Sequence, residues 1–130
     1  MAELKLKTGA VKYIIKDEFG DEIGVIKFNP CDIDIARRYK QVSESFKALE
    51  IPENPSEEDI FRITDEIKSS FDYLLHTDTS HTIFSVTNPL TPTGDGFYFV
   101  SVMGEINRII DKELDKRAKK MDAALKDINE

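Results

Sequence analysis

Two hydrophobic periods divide this chain. Before Asn29 apolar residues recur at every second position, and from Ile35 onward at every third or fourth. Val11, Tyr13 and Ile15 alternate with Lys12, Ile14 and Lys16, and a partner run extends from Ile23 to Phe28. Alternation sends successive side chains to opposite faces of a strand. The polar stretch DEFGDE lies between the runs, with Gly20 free to take positive φ, so the spacing predicts a β-hairpin over about 10–28. Leu4 and Leu6, alternating with Lys5 and Lys7, could add a short edge strand. A lone hairpin is marginal in water, so this one must pack on helices further along the chain.

The longer period then marks three helices. Ile35, Tyr39, Val42, Phe46 and Leu49 form one apolar stripe in a helix over about 30–49. Asn29 is its expected cap, Pro30 its first residue, and Asp32 a favourable charge in its first turn. Pro52 and Pro55 cannot continue the hydrogen-bond ladder and end it. A second helix, about 56–75, opens at Ser56 with Asp59 three residues on, a capping-box arrangement. Its stripe is Ile60, Ile63, Ile67, Phe71 and Leu74, and Phe61 and Tyr73 are expected to widen that face toward the core. The third helix, about 98–128, would extend on the order of 45 Å, longer than so small a body is wide. Phe99, Val102, Met103, Ile106, Ile109 and Ile110 make its first half strongly apolar. Beyond Asp111 the stripe thins to Leu114, Ala118, Met121, Leu125 and Ile128. The second half is therefore expected to project, supported by the i,i+4 pairs Glu113–Arg117, Asp115–Lys119 and Asp122–Lys126.

Between the second and third helices, residues 76–97 read as one long ordered loop. It carries Ile83, Phe84, Val86 and Leu90, two prolines, and the Gly94-Asp95-Gly96 turn. Loops of this length inside a compact domain are uncommon and are functional or disordered. An apolar, stiffened one is built to lie against something. The fold expected is α+β, one domain over 1–130, with the hairpin packed on three helices.

Composition narrows the function classes. The 130 residues are 40% hydrophobic and 33% charged with a net charge of −7, which suits a soluble globular protein and opposes a phosphate backbone. The late cluster Lys112, Lys116, Arg117, Lys119 and Lys120 is interleaved with acids and reads as a solvated face. Cys31 is the single cysteine, so no internal disulfide forms. No secretory leader or membrane-length apolar run is visible, which points to a reducing cytoplasm and away from a membrane.

Chemistry is scarce. His76, Asp78 and His81 are the only cluster resembling metal ligands, and their spacing matches no established pattern, so turn and capping roles are the plainer reading. Asp17, Glu18, Asp21 and Glu22 lack the alternation of a calcium loop. Cys31 has no nearby histidine to activate it and reads as a structural thiol. Gly94 and Gly96 lack the spacing of a nucleotide loop. No nucleophile, base and oxyanion set is present, so no enzyme, cofactor, metal or small-molecule substrate is expected. A module that binds another polypeptide is.

Three stretches resemble the tail assembly chaperones of long-tailed bacteriophages and prophages of Gram-positive bacteria. They are FNPCDIDIARRYKQ, FDYLLHTDTSHTIFSVTNPLTP and GDGFYFVSVMGEI, within about residues 10–115. The resemblance departs at His76 and Ser85, where glycines of an FGxG-like pattern would be looked for. It implies a small helix-rich protein of the host cytoplasm that binds the tape measure protein before the tail tube polymerises around it. It further implies a longer frameshifted product, for which codons at Lys119-Lys120 could supply the slippery run. On this reading the client surface joins Phe84 and Leu90 of the loop to Leu114, Met121 and Leu125 of the last helix. The alternatives are a structural virion component such as a ring-forming tail completion or connector protein, and a small acidic regulator. Self-association is left open.

Overall fold

The hairpin closes on an aspartate. Asp17 Oδ1 accepts hydrogen bonds from the backbone N–H of Phe19 and Asp21, each at 2.9 Å, and Gly20 takes φ 86°, a conformation side chains resist. In the computed structural model, which describes residues 1–94 and 96–129, the turn joins β1 (Val11–Lys16) to β2 (Glu22–Phe28). The strands are antiparallel with Val11 opposite Phe28, and an irregularity after Ile15 sets Lys16 opposite Glu22. Tyr13, Ile15, Ile26 and Phe28 face inward, while Lys12, Ile14, Val25 and Lys27 face out. Leu4 and Leu6 form no strand and are exposed, which corrects the edge-strand expectation. Asn29 Nδ2 donates to Thr8 O at 2.6 Å, fixing where the segment leaves the body.

Helix α1 (Ile33–Lys47) begins three residues later than expected. Its cap is Asp32, whose side chain accepts from Asp34 N at 3.0 Å. Asn29 instead accepts from Cys31 N at 3.0 Å, and Pro30 is buried, so these residues turn the chain out of the sheet. Helix α2 (Glu57–Leu75) opens on the anticipated capping box: Asp59 N donates to Ser56 Oγ and Ser56 N to Asp59 Oδ2, both at 3.1 Å. It ends at His76, a non-glycine residue in the left-handed region at φ 58°.

One charged side chain is buried between the two helices. Arg38 donates from Nε to Leu74 O at 2.9 Å and from Nη2 to Asp32 Oδ2 at 3.3 Å. A guanidinium here satisfies a last-turn carbonyl of α2 and complements the negative end of its dipole. Phe61 and Tyr73 stay exposed, which corrects their assignment to the core. The stripe of α2 is already filled by Ile63, Ile67, Phe71 and Leu74. Tyr73 hydrogen-bonds Gln41 at the rim.

The expected loop is shorter and more regular than its sequence suggests. Asp72 Oδ1 accepts from Thr79 N at 2.8 Å and Ser80 N at 2.7 Å, and this starts a one-turn helix, α3 (Ser80–Ile83). Two-residue strands β3 (Pro92–Thr93) and β4 (Gly96–Phe97) then pair before α4 (Tyr98–Asn129); Asp95 of the glycine turn lies outside the described residues. The opening of α4 is tied back: Tyr98 N donates to Thr91 O at 2.8 Å, Phe99 N to Pro89 O at 3.0 Å, and Tyr98 Oη to Ile83 O at 3.0 Å.

These ties seat Phe84 in an aromatic chain. Its ring lies 5.3 Å from Phe71 and 5.8 Å from Tyr98, edge to face. Phe46 bridges Phe71 at 5.6 Å and Phe99 at 5.1 Å. The core therefore joins β2, α1, α2, α3, the first half of α4 and Phe84 in one cluster. The fold is α+β.

Candidate interaction surface

The stripe along α4 has two fates. Phe99, Met103, Ile106 and Ile110 are buried, and Leu114 is half-buried against the same core. Then the helix leaves the body. Arg117 Nη1 donates to Cys31 O at 2.5 Å and Cys31 Sγ lies 3.6 Å from Glu113 Oε2, the last polar links between α4 and the strand-to-helix junction. Every residue from Lys119 to Ile128 is exposed. Met121, Leu125 and Ile128 show 52%, 54% and 77% of their surface. Leu114, Ala118, Met121, Leu125 and Ile128 follow at spacings of four, three, four and three, the heptad seam of a helix that packs on another helix.

The five residues expected to form one surface are not brought together. Phe84 is 7% exposed and belongs to the core, and Leu90 is half-buried against it. The physical reason is Asp72 of α2, which holds the start of α3, together with the bonds from Tyr98 and Phe99, which tie the loop to the start of α4. Leu114 marks the border. Met121 and Leu125 remain, and Ile128 extends their row. Of the expected i,i+4 pairs Asp115–Lys119 forms at 3.3 Å; Glu113 instead meets Lys116 at 3.6 Å because Arg117 turns to Cys31 O, and Asp122–Lys126 is not among the ion pairs of the described residues.

His76 serves as the α2 cap, and among the described residues no group of three or more His, Cys, Asp or Glu could hold a metal ion. Asp32 and Asp59 sit below the usual carboxylate range, chiefly through backbone N–H groups of Asp34 and Ser56. Asp32 is the N-cap of α1, and Asp59 is the reciprocal residue of the α2 capping box.

Sequence reasoning missed a second feature. Between β1 and α4 runs a groove of about 450 Å³, lined by Tyr13, Ile15, Val102 and Ile109 with Lys16, Glu105 and Arg108 at its rim. Burial pushes the phenols of Tyr13 and Tyr98 up, and Tyr98 donates its hydroxyl to Ile83 O. The alternation of β1 announced its inward residues, but nothing in the sequence revealed that α4 would stand off from them. No family model, curated protein or solved structure matches this chain. Among the described residues, no helix is long and apolar enough to cross a membrane.

Proposed function

We propose that this chain is a tail assembly chaperone of a long-tailed phage or prophage. It works in the bacterial cytoplasm and holds the helix-rich tape measure protein until the tail tube forms around it. The observation that carries the reading is the unpartnered heptad seam on the outer half of α4. The three motif stretches that resemble the chaperone family add to it. Loop residues Phe84 and Leu90 leave the proposed client surface, because they hold the core together. Met121, Leu125 and Ile128 carry it, with Leu114 at its inner edge.

The size of the seam favours a grip that lets go. Full burial of such a side chain is worth roughly 1.5–3 kcal/mol, and each of these three is already partly covered. About 3–5 kcal/mol is therefore gained, against an association cost of roughly 4–15 kcal/mol. A client helix must bring contacts of its own, and the complex stays reversible. A permanent virion component needs a larger self-complementary face.

Co-expression tests the proposal. The tape measure protein made with the wild-type chain is expected to stay soluble and to co-purify, and Met121→Asp/Leu125→Asp to lose it while melting at an unchanged temperature. Equal capture by that variant would refute the assigned surface. Abundant presence of the chain in purified particles would favour the structural virion reading instead.

A further inference from the structure

The outer half of α4 leaves one surface unexplained, the open edge of the sheet. The sheet has only two strands; α3 lies against β2, where a Cβ on Gly24 would come within 2.5 Å of Thr82 Cγ2. The far edge of β1 has no strand beside it among the described residues. It borders the groove, whose floor is the half-buried row Tyr13, Ile15, Val102 and Ile109. An open edge over an apolar trough is the geometry by which an extended peptide adds a strand. Main-chain hydrogen bonds supply affinity, and alternate side chains enter the trough.

Charge selects the occupant. On the outward face of the hairpin Lys12 stands opposite Lys27 and Lys16 opposite Glu22, with Ile14 and Val25 between the two pairs. Among the described residues none of these lysines is in an ion pair. Three lysines against one glutamate leave this face basic on a chain whose net charge is −7. A second copy paired in register about Ile14 is a poor fit. Two β1 strands paired antiparallel about Ile14 would set each copy's Lys12 against the other's Lys16, and like charges directly opposite destabilise a pair. The chain's own segment before β1 is no better, since its outward residues would be Lys5 and Lys7, and Asn29 holds its base at Thr8.

We propose that the β1 edge binds an extended segment of another protein in which apolar residues alternate with acidic ones. The apolar side chains enter the trough between β1 and α4, and the acidic ones lie over Lys12 and Lys16. Charged edges also guard sheets against aggregation. A guard alone needs no trough, and it would show no preference for an acidic strand.

The test uses the full chain and an end-capped peptide of alternating valine and glutamate as long as β1. Binding is followed by calorimetry and by amide spectra of the labelled protein. Shifts are expected along Val11–Lys16 and Val102–Ile109. Affinity should fall about tenfold for Lys12→Glu/Lys16→Glu, whose exposed sites leave melting unchanged, and that variant should prefer a valine–lysine peptide. N-methylation of alternate peptide amides should abolish binding. The proposal is overturned by no binding, by equal binding of the lysine peptide to the wild-type chain, by indifference to N-methylation, or by shifts confined to Met121–Ile128.

Discussion

The inner and outer halves of α4 obey the same hydrophobic rule and end in opposite environments. From Phe99 to Ile110 the stripe is sealed under α1, α2 and the tied-down loop; from Lys119 to Ile128 nothing among the described residues covers it. Helical spacing thus says which side chains share a face. It does not say what lies opposite. What covers the inner half is set by residues outside the helix, such as Thr91 and Pro89, whose carbonyls hold the start of α4. Among the described residues the outer half has no such ties beyond Arg117.

That contrast orders the expected effects of mutation. Phe84→Ala, placed by sequence among surface residues, should cost about 3–5 kcal/mol in chemical denaturation, as for any buried aromatic ring in a closed core. A loss below about 1 kcal/mol would return Phe84 to the surface. Arg38→Met should cost about 1–3 kcal/mol, because Leu74 O and Asp32 are left without their partner. Ser56→Ala should cost about 1 kcal/mol through the lost cap of α2. Leu125→Asp should change stability by no more than about 0.5 kcal/mol, as befits a solvated position. An equal loss for Leu125→Asp and Ile106→Asp would erase the distinction between the halves.

Acid adds a smaller and sharper probe. Asp32 and Asp59 have folded-state carboxyls held below their unfolded value. Their contribution is present above the ordinary aspartate range near pH ~4 and is lost as pH falls through the depressed folded value. Asp59→Asn should therefore lower stability at neutral pH and flatten its decline in acid. An unchanged acid slope would show that the capping box holds no proton-linked energy.

Local signals were legible in the sequence, and long-range closure was not. The hairpin turn at Gly20, the Ser56–Asp59 box and the stripes of α1 and α2 each depend on residues within a few positions of one another. The loop between α2 and α4 misled because its closure depends on Asp72, on Tyr98 bonding Ile83, and on a cavity-filling ring at position 84. Phe61 and Tyr73 misled for a related reason, since a stripe already filled by other residues leaves aromatics at its border outside. At the candidate surface the heptad seam could be read directly. The groove beside β1 could not, because its width is set by where α4 enters the body.

Amide hydrogen exchange along α4, with the chain alone and with the tape measure protein bound, puts the two halves side by side. Protection of Phe99–Ile110 in both states, with protection of Met121–Ile128 only in the complex, is the expected result. Outer-half amides that exchange equally fast in both states would contradict a client seated on that face.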